Sequence, residues 1–299
     1  MASSTPASAW ARAAPEAEAA LGRSDFWLRF RRSRHARAGA LIVLAVALVA
    51  LAAPWLAPHG YAATDLLAVW AEPSREHWLG GDGLGRDILS RLMVGARVSM
   101  LVAGSVLAIT LIVGIGTGML AGYFGGWLDS LLMRIADIVF AFPELIFAIL
   151  VAAMLGPGTL TVIVALSIVW WPGIARLTRS LTLALKTELF VEAAITCGTR
   201  PLVILARHLL PNLVAPLIVR ASIGVGFIIM AEATLSFLGI GVQEPVPTWG
   251  GMIRDGLPAL RTEPYLALGS SAALGLSIIG FNLLGDGLRD ILDPRIRDR

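Results

Sequence analysis

A single cysteine, Cys197, leaves this chain neither an internal disulfide nor a cysteine-rich zinc cluster. A single lysine, Lys186, is almost as restrictive. A phosphate-cradling loop needs G-x-x-x-x-G-K-[ST], and Lys186 follows Leu185, so no ATP-hydrolysing motif of that kind exists here. No residue is expected to be catalytic. The four histidines, His35, His59, His77 and His208, are scattered without metal-ligand spacing and read as surface or structural groups. Charge is scarce too: Asp, Glu, Lys and Arg make up 15% of the 299 residues, against about 25% in ordinary soluble domains. The basic residues flank apolar runs, where a nucleic-acid binder would set them beside aromatics in a polar domain.

What is abundant is apolar: 57% of residues are hydrophobic and the mean hydropathy is +0.76. That is the balance of a chain whose solvent is largely lipid. Residues 1–25, rich in Ala, Ser and Pro, are too poor in large apolar groups to repay ordering and read as a disordered cytoplasmic tail. Arginines 29, 31, 32, 34 and 37 then precede an uncharged run at residues 38–57, long enough as a helix to cross about 30 Å of hydrocarbon. A cleaved signal peptide is the alternative, but this run exceeds the usual h-region and begins almost forty residues in, which favours an uncleaved anchor.

Further runs at 98–128, 138–155 (interrupted by Pro143-Glu144), 159–175, 213–240 and 265–285 bring the expectation to about six transmembrane helices. Gly125-Gly126, Gly156-Pro157-Gly158 and Pro245-Val246-Pro247 supply the breaks. A β-barrel is excluded because these runs do not alternate polar and apolar residues. The expected fold class is therefore an all-α polytopic bundle. It divides into a first helix and outer loop (26–97), a core (98–290) with an inner loop at 183–212, and a short cytoplasmic tail (291–299). The arginine bias places both termini in the cytoplasm.

The inner loop before the fifth span is long for a helix bundle, and long loops are commonly functional. Phe190, Ala193, Ala194 and Cys197 share one face of a short helix, Gly198 breaks it, Thr199-Arg200-Pro201 starts a second, and Pro211 is expected to stop that one. A knob of this kind transmits a partner's motion only if its turn is tight and its surface partly apolar. Gly198 supplies the turn, Ala193 and Ala194 allow close approach, and Glu192 and Arg200 offer charge-assisted hydrogen bonds. An amphipathic loop lying on the bilayer is the plainer reading.

Glu192-Ala193-Ala194, Gly198 and Leu210-Pro211 at this spacing resemble the EAA loop of ABC-importer permeases. Other blocks narrow the resemblance to the C-type permease of dipeptide, oligopeptide and nickel importers: His77-Trp78-Leu79-Gly80 with Asp82, Gly85-Arg86-Asp87, Ser90-Arg91, Leu235-Ser236-Phe237-Leu238-Gly239 and Trp249-Gly250. Phe190 stands where the family often has Tyr. The resemblance implies a type I importer permease of the bacterial inner membrane, with the inner loop as a coupling helix formed by Glu192, Ala193, Ala194, Gly198, Arg200, Leu210 and Pro211. It also implies a homologous second permease, two cytosolic ATPases that hold ATP and Mg, an extracytoplasmic solute-binding protein, and no cofactor on this chain.

Charges within spans are costly and usually face a cavity or a partner. Glu144, Arg220 and Glu232 are candidates for lining a translocation path, whereas Arg134 and Asp137, three apart, are expected to neutralise each other. In the outer loop, Glu244, Trp249 and Arg254 are candidate contacts for the binding protein, although a membrane-interface belt accounts equally well for the tryptophan. A stand-alone secondary transporter or channel is the main rival, but no repeat links the two halves. A non-transporting scaffold is the third reading.

Overall fold

In the computed structural model, which describes residues 26–292, the first long helix already has a lipid-facing design. The expected N-terminal tail, and residues 293–299 of the C-terminal one, lie outside the described residues. Helix α1 (Arg34–Leu56) begins where the Ser33 side chain accepts a hydrogen bond from the Ala36 N–H, satisfying a donor that helix starts leave open. Leu41, Leu44, Leu48, Leu51 and Trp55 form one exposed stripe, while Ala36, Gly39, Ala50 and Ala53 are buried. Large residues outward and small ones inward suit a bilayer, because lipid tails accept leucine as readily as a protein core does.

The chain continues through α2 (Ile88–Phe124), α3 (Gly126–Phe140), α4 (Glu144–Leu155), α5 (Thr159–Lys186) and α6 (Leu189–Thr196). It closes with α7 (Pro201–Phe237), α8 (Trp249–Gly256) and α9 (Tyr265–Leu292). Five of these are long and apolar enough to span a membrane, and α3 with α4 makes a sixth crossing only as a pair bent by 89°. The expected span at 138–155, interrupted at Pro143-Glu144, breaks where expected, but its first arm begins earlier, at Gly126. Pro143 has no N–H to donate and disfavours helix at the residue before it, so the chain turns there. Among the described residues the β pairing is a single bridge, Gly81 with Asp87.

Helix α2, at 37 residues, is about 55 Å long. It lies along α5 through a glycine seam. A Cβ on Gly114, Gly118 or Gly122 would come within 2.7, 2.4 or 2.8 Å of α5 atoms, so only glycine lets the backbones approach this closely. Gly116 and Gly224, in contrast, face open space. Helix α9 packs on α1 and α7 in a similar way, with Gly287 against Ala36.

Three apolar clusters hold the described residues together, the smallest joining Ile88, Met252 and Leu266; the other two are larger. One, midway, joins Val102, Val106, Ala148, Leu166, Ile228 and Ile229 from α2, α4, α5 and α7. The other lies at the end where Lys186 Nζ donates to the Tyr123 carbonyl at 2.6 Å. It combines Met119 and Ile174 with Val191, Ala194, Ile204, Leu205 and Leu209 of the inner loop. That loop is therefore a packed extension of the spans.

Candidate functional site

Because α5 stays helical to Lys186, Arg176 and Arg179 belong to a span, and the link between α5 and α7 contracts to a helix and two turns. Helix α6 ends in a Schellman closure: Gly198 N–H donates to Ile195 O at 2.9 Å and Thr199 N–H to Ala194 O at 3.0 Å. This closure requires a left-handed residue, and Gly198 sits at φ +74. Arg200 then caps α7 in an extended conformation with Pro201 in the first turn, where a missing N–H costs nothing.

The segment has two faces. Val191 and Ala194 point into the apolar cluster, so Ala194 serves as an anchor and not as a contact surface. Leu189, Phe190, Ile195 and Leu202 are exposed, interspersed with Glu192, Ala193, Cys197, Gly198 and Arg200. Pro211 does not stop the second helix as expected. It is accommodated in α7 because residues 204–209 widen into a π-helical stretch, and Asn212 Nδ2 donates to the His208 carbonyl in the interrupted turn. Leu210 is half-buried beside it.

The three intramembrane candidates are not brought together. Glu144 is exposed at the α3–α4 bend, and Arg220 is half-buried with its guanidinium near Gly173 of α5. Glu232 is fully buried. It accepts hydrogen bonds from Ser99 Oγ at 2.9 Å and Ser236 Oγ at 2.8 Å, and so ties α7 to α2 within the chain instead of lining a cavity. The expected Arg134–Asp137 pair is also corrected. Asp137 pairs with Arg176, whose guanidinium rests 4.2 Å over the Phe140 ring, and Asp129 takes both Nε and Nη2 of Arg179.

At the opposite end of the bundle an ion-paired cap joins the loops at 57–87 and 238–248. Arg86 donates from both Nη atoms to the Glu244 carboxylate at 3.0 Å, and from Nε to Asp82 at 2.7 Å. Arg91, buried beside it, reaches Glu244 at 3.3 Å and the Tyr61 carbonyl at 3.1 Å. Such forked pairs are strong and directional. Glu244 and Arg254, which pairs with Asp255, border an open cavity of about 420 Å³. Trp249, expected as an exposed anchor, is only 2% exposed. Its Nε1 donates to Leu92 O at 3.2 Å and its ring lies on Gly95, because Gly250 lets α8 settle directly onto the Ala233 backbone.

The Arg86 hydrogen bond, reinforced by charge from Arg86 and Arg91, holds the Glu244 carboxyl below the usual range despite partial burial. A lowered folded-state pKa adds stability above the unfolded value of about 4.3, and that stability is lost as pH falls through the folded value. The melting-temperature gap between wild type and Glu244→Gln should therefore be largest near neutral pH and shrink as pH falls below the unfolded value. A gap that does not change with pH would show that the carboxylate charge contributes nothing.

The histidines are less scattered than their spacing indicates. His59 and His77 converge on Asp87 at the start of α2. No periodic or local pattern announces this, since the loop between α1 and α2 folds back over 28 positions to form it.

Residues 114–298 match the family described as binding-protein-dependent transport system inner membrane component. Residues 23–73 match the N-terminal TM domain of oligopeptide transport permease C. The chain is 45% identical over 278 residues to the glutathione transport system permease protein GsiD of Escherichia coli O157:H7, covering 91% of this chain and 90% of that protein. Its identity to the counterpart in Shigella dysenteriae serotype 1 (strain Sd197) is 44% over the same span. The structure resembles a chain of the inward-facing MetNI methionine ABC transporter with TM-score 0.54 at 19% identity, covering 68% of this chain and 97% of that one.

Proposed function

Since the chain belongs to the binding-protein-dependent transport system inner membrane components and is the permease subunit of an ABC importer, we propose that its α6–Gly198 turn is the element on which cytosolic ATPases act. The subunit itself is non-catalytic, and ATP hydrolysis belongs to its partners. One observation carries the assignment of the turn: a rigid knob, rooted in an apolar cluster at one end of the spans, presents exposed Leu189, Phe190, Ile195 and Leu202 around Glu192 and Arg200. Apolar residues ringed by a few charges are what a protein partner's cleft recognises.

In this reading the turn and both termini face the cytoplasm, and the ion-paired cap faces outward toward a solute-binding protein. Glu244 and Arg254 border the contact. A homologous second permease completes the path, with Glu144 and Arg220 as its candidate lining on this side. ATP-driven closure of two ATPases moves the turn, and the bundle rocks between inward-facing and outward-facing states. The solute is a short peptide of the glutathione size class, on the strength of the 45% identity over 91% of the chain, and its selection rests with the binding protein.

Cys197, exposed on this turn, makes the test direct because it needs no engineered thiol. A membrane-impermeant maleimide should leave Cys197 unlabelled in intact cells and label it after lysis. A bifunctional thiol reagent should then join Cys197 to a single-cysteine ATPase partner, with a yield that changes when ATP is added. Labelling from outside, or no adduct with any ATPase position tried, defeats the proposal.

A further inference from the structure

The outer loop contains a cluster that neither coupling nor the ion-paired cap uses. The His59 and His77 rings face each other with centroids 4.7 Å apart and planes inclined by 32°. Both Nδ1 atoms turn toward the same atom, Asp87 Oδ1, at 3.9 Å for His59 and 3.0 Å for His77. The other carboxylate oxygen is already committed. Asp87 Oδ2 accepts from the Ser90 backbone N–H at 2.8 Å and from its hydroxyl at 2.6 Å. Ser90 Oγ in turn accepts the His59 backbone N–H at 3.0 Å. Asp87 is thus clamped with one oxygen presented to two imidazole nitrogens, and outer hydrogen bonds that orient a ligand in this way are how metal sites are preorganised.

His59 Nδ1 is the discordant atom. It is buried and, among the described residues, has no hydrogen-bond partner, although buried polar atoms almost always find one. One ligand atom from each of the three residues lies within 4.8 Å of the others. A tetrahedral site with bonds of about 2.0–2.1 Å needs ligand atoms about 3.3 Å apart. The separations of 3.0 and 3.9 Å to Asp87 bracket that value. Charge agrees as well. Arg86 and Arg91 are met by Asp82 and Glu244, which leaves the Asp87 carboxylate to a cation.

We propose that His59, His77 and Asp87 bind a divalent transition-metal ion of the zinc class. Two imidazoles and a carboxylate suit such ions and not Mg or Ca, which prefer oxygen. The ion takes the place of the proton between His77 Nδ1 and Asp87. The remaining position opens to solvent on the His59 side, where that side chain is 39% exposed. Bound there, the metal clips the segment that follows α1 to the capped start of α2, which makes it a structural ion and not cargo.

Zinc titration of the tag-free, chelator-stripped protein in detergent tests this, read by calorimetry and by elemental analysis after gel filtration. One Zn ion per chain is expected, together with a rise in melting temperature. His59→Ala should still fold, since that side chain is partly exposed, but should lose more than about 100-fold in zinc affinity, above the 10–100-fold typical of an outer partner. His59→Cys, which restores a ligand, should retain the ion. No stoichiometric zinc in the wild type, an unchanged affinity in His59→Ala, or a Cys variant no better than Ala would each overturn the assignment.

Discussion

Replacing Gly118 by leucine is expected to cut the yield of folded protein at least tenfold, whereas leucine at Gly116, two residues away on the same helix, should leave it nearly unchanged. At Gly118 even a Cβ would lie 2.4 Å from the Ala175 carbonyl oxygen and 2.6 Å from Thr178 Cβ. The first of these is backbone and cannot rotate aside. Overpacking of a few methylenes ordinarily costs about 1–3 kcal/mol. Here the new side chain would force α2 and α5 apart along the whole Gly114–Gly122 seam, so the loss should exceed that range. A Cβ added to Gly116 would have no neighbour within 4 Å, and that position serves as the control. Monodisperse yield and melting temperature of the two variants make the measurement, and equal behaviour would refute the seam.

Charge reversal at Glu192 should reduce ATP-driven uptake about 30-fold or more while insertion and melting temperature stay as in the wild type. The residue is exposed on α6, and among the described residues its carboxylate makes no hydrogen bond or ion pair that folding would miss. Misplacing a charge in a partner's cleft costs about 2–5 kcal/mol, which is the basis of that figure. Gly198 supplies a second reading of the same turn. Valine there meets open space, so the only penalty is the left-handed backbone, about 1–2 kcal/mol. Asparagine tolerates that conformation better. Uptake should therefore fall in the order glycine, asparagine, valine, measured in proteoliposomes carrying the full transporter. Equal uptake in all three, or an insertion defect in Glu192→Lys, would remove the coupling role.

Much of the architecture is readable from composition. The apolar runs at 38–57, 159–175, 213–240 and 265–285 fall largely on single helices, and Gly198 is placed as a turn residue because few other residues support the backbone found there. The differences arise where distant partners override local pattern. A tryptophan amid polar loop residues reads as exposed, yet Trp249 is buried because Gly95 and Gly250, 155 positions apart, remove the side chains that would hold it off. Glu232 reads as a channel group, but Ser99, 133 positions away, provides its hydroxyl partner. Arg134 and Asp137 have the right spacing, and still Asp137 goes to Arg176 on a neighbouring helix. The His59–His77–Asp87 convergence depends on loop closure, which no periodicity encodes.

The π-helical stretch at Ile204–Leu209 carries one surplus residue relative to α-helical winding. A helical wheel drawn from Pro201 onward would accordingly assign every later position of α7 to a bearing about 100° from its true one. The stretch acts as a phase shifter between two independently indexed modules. Deleting one residue upstream would let the stretch revert to ordinary α-helix, leaving the downstream face toward Ser99 in register. The segment before the stretch can thus differ by one residue without changing which face of the following membrane helix meets α2.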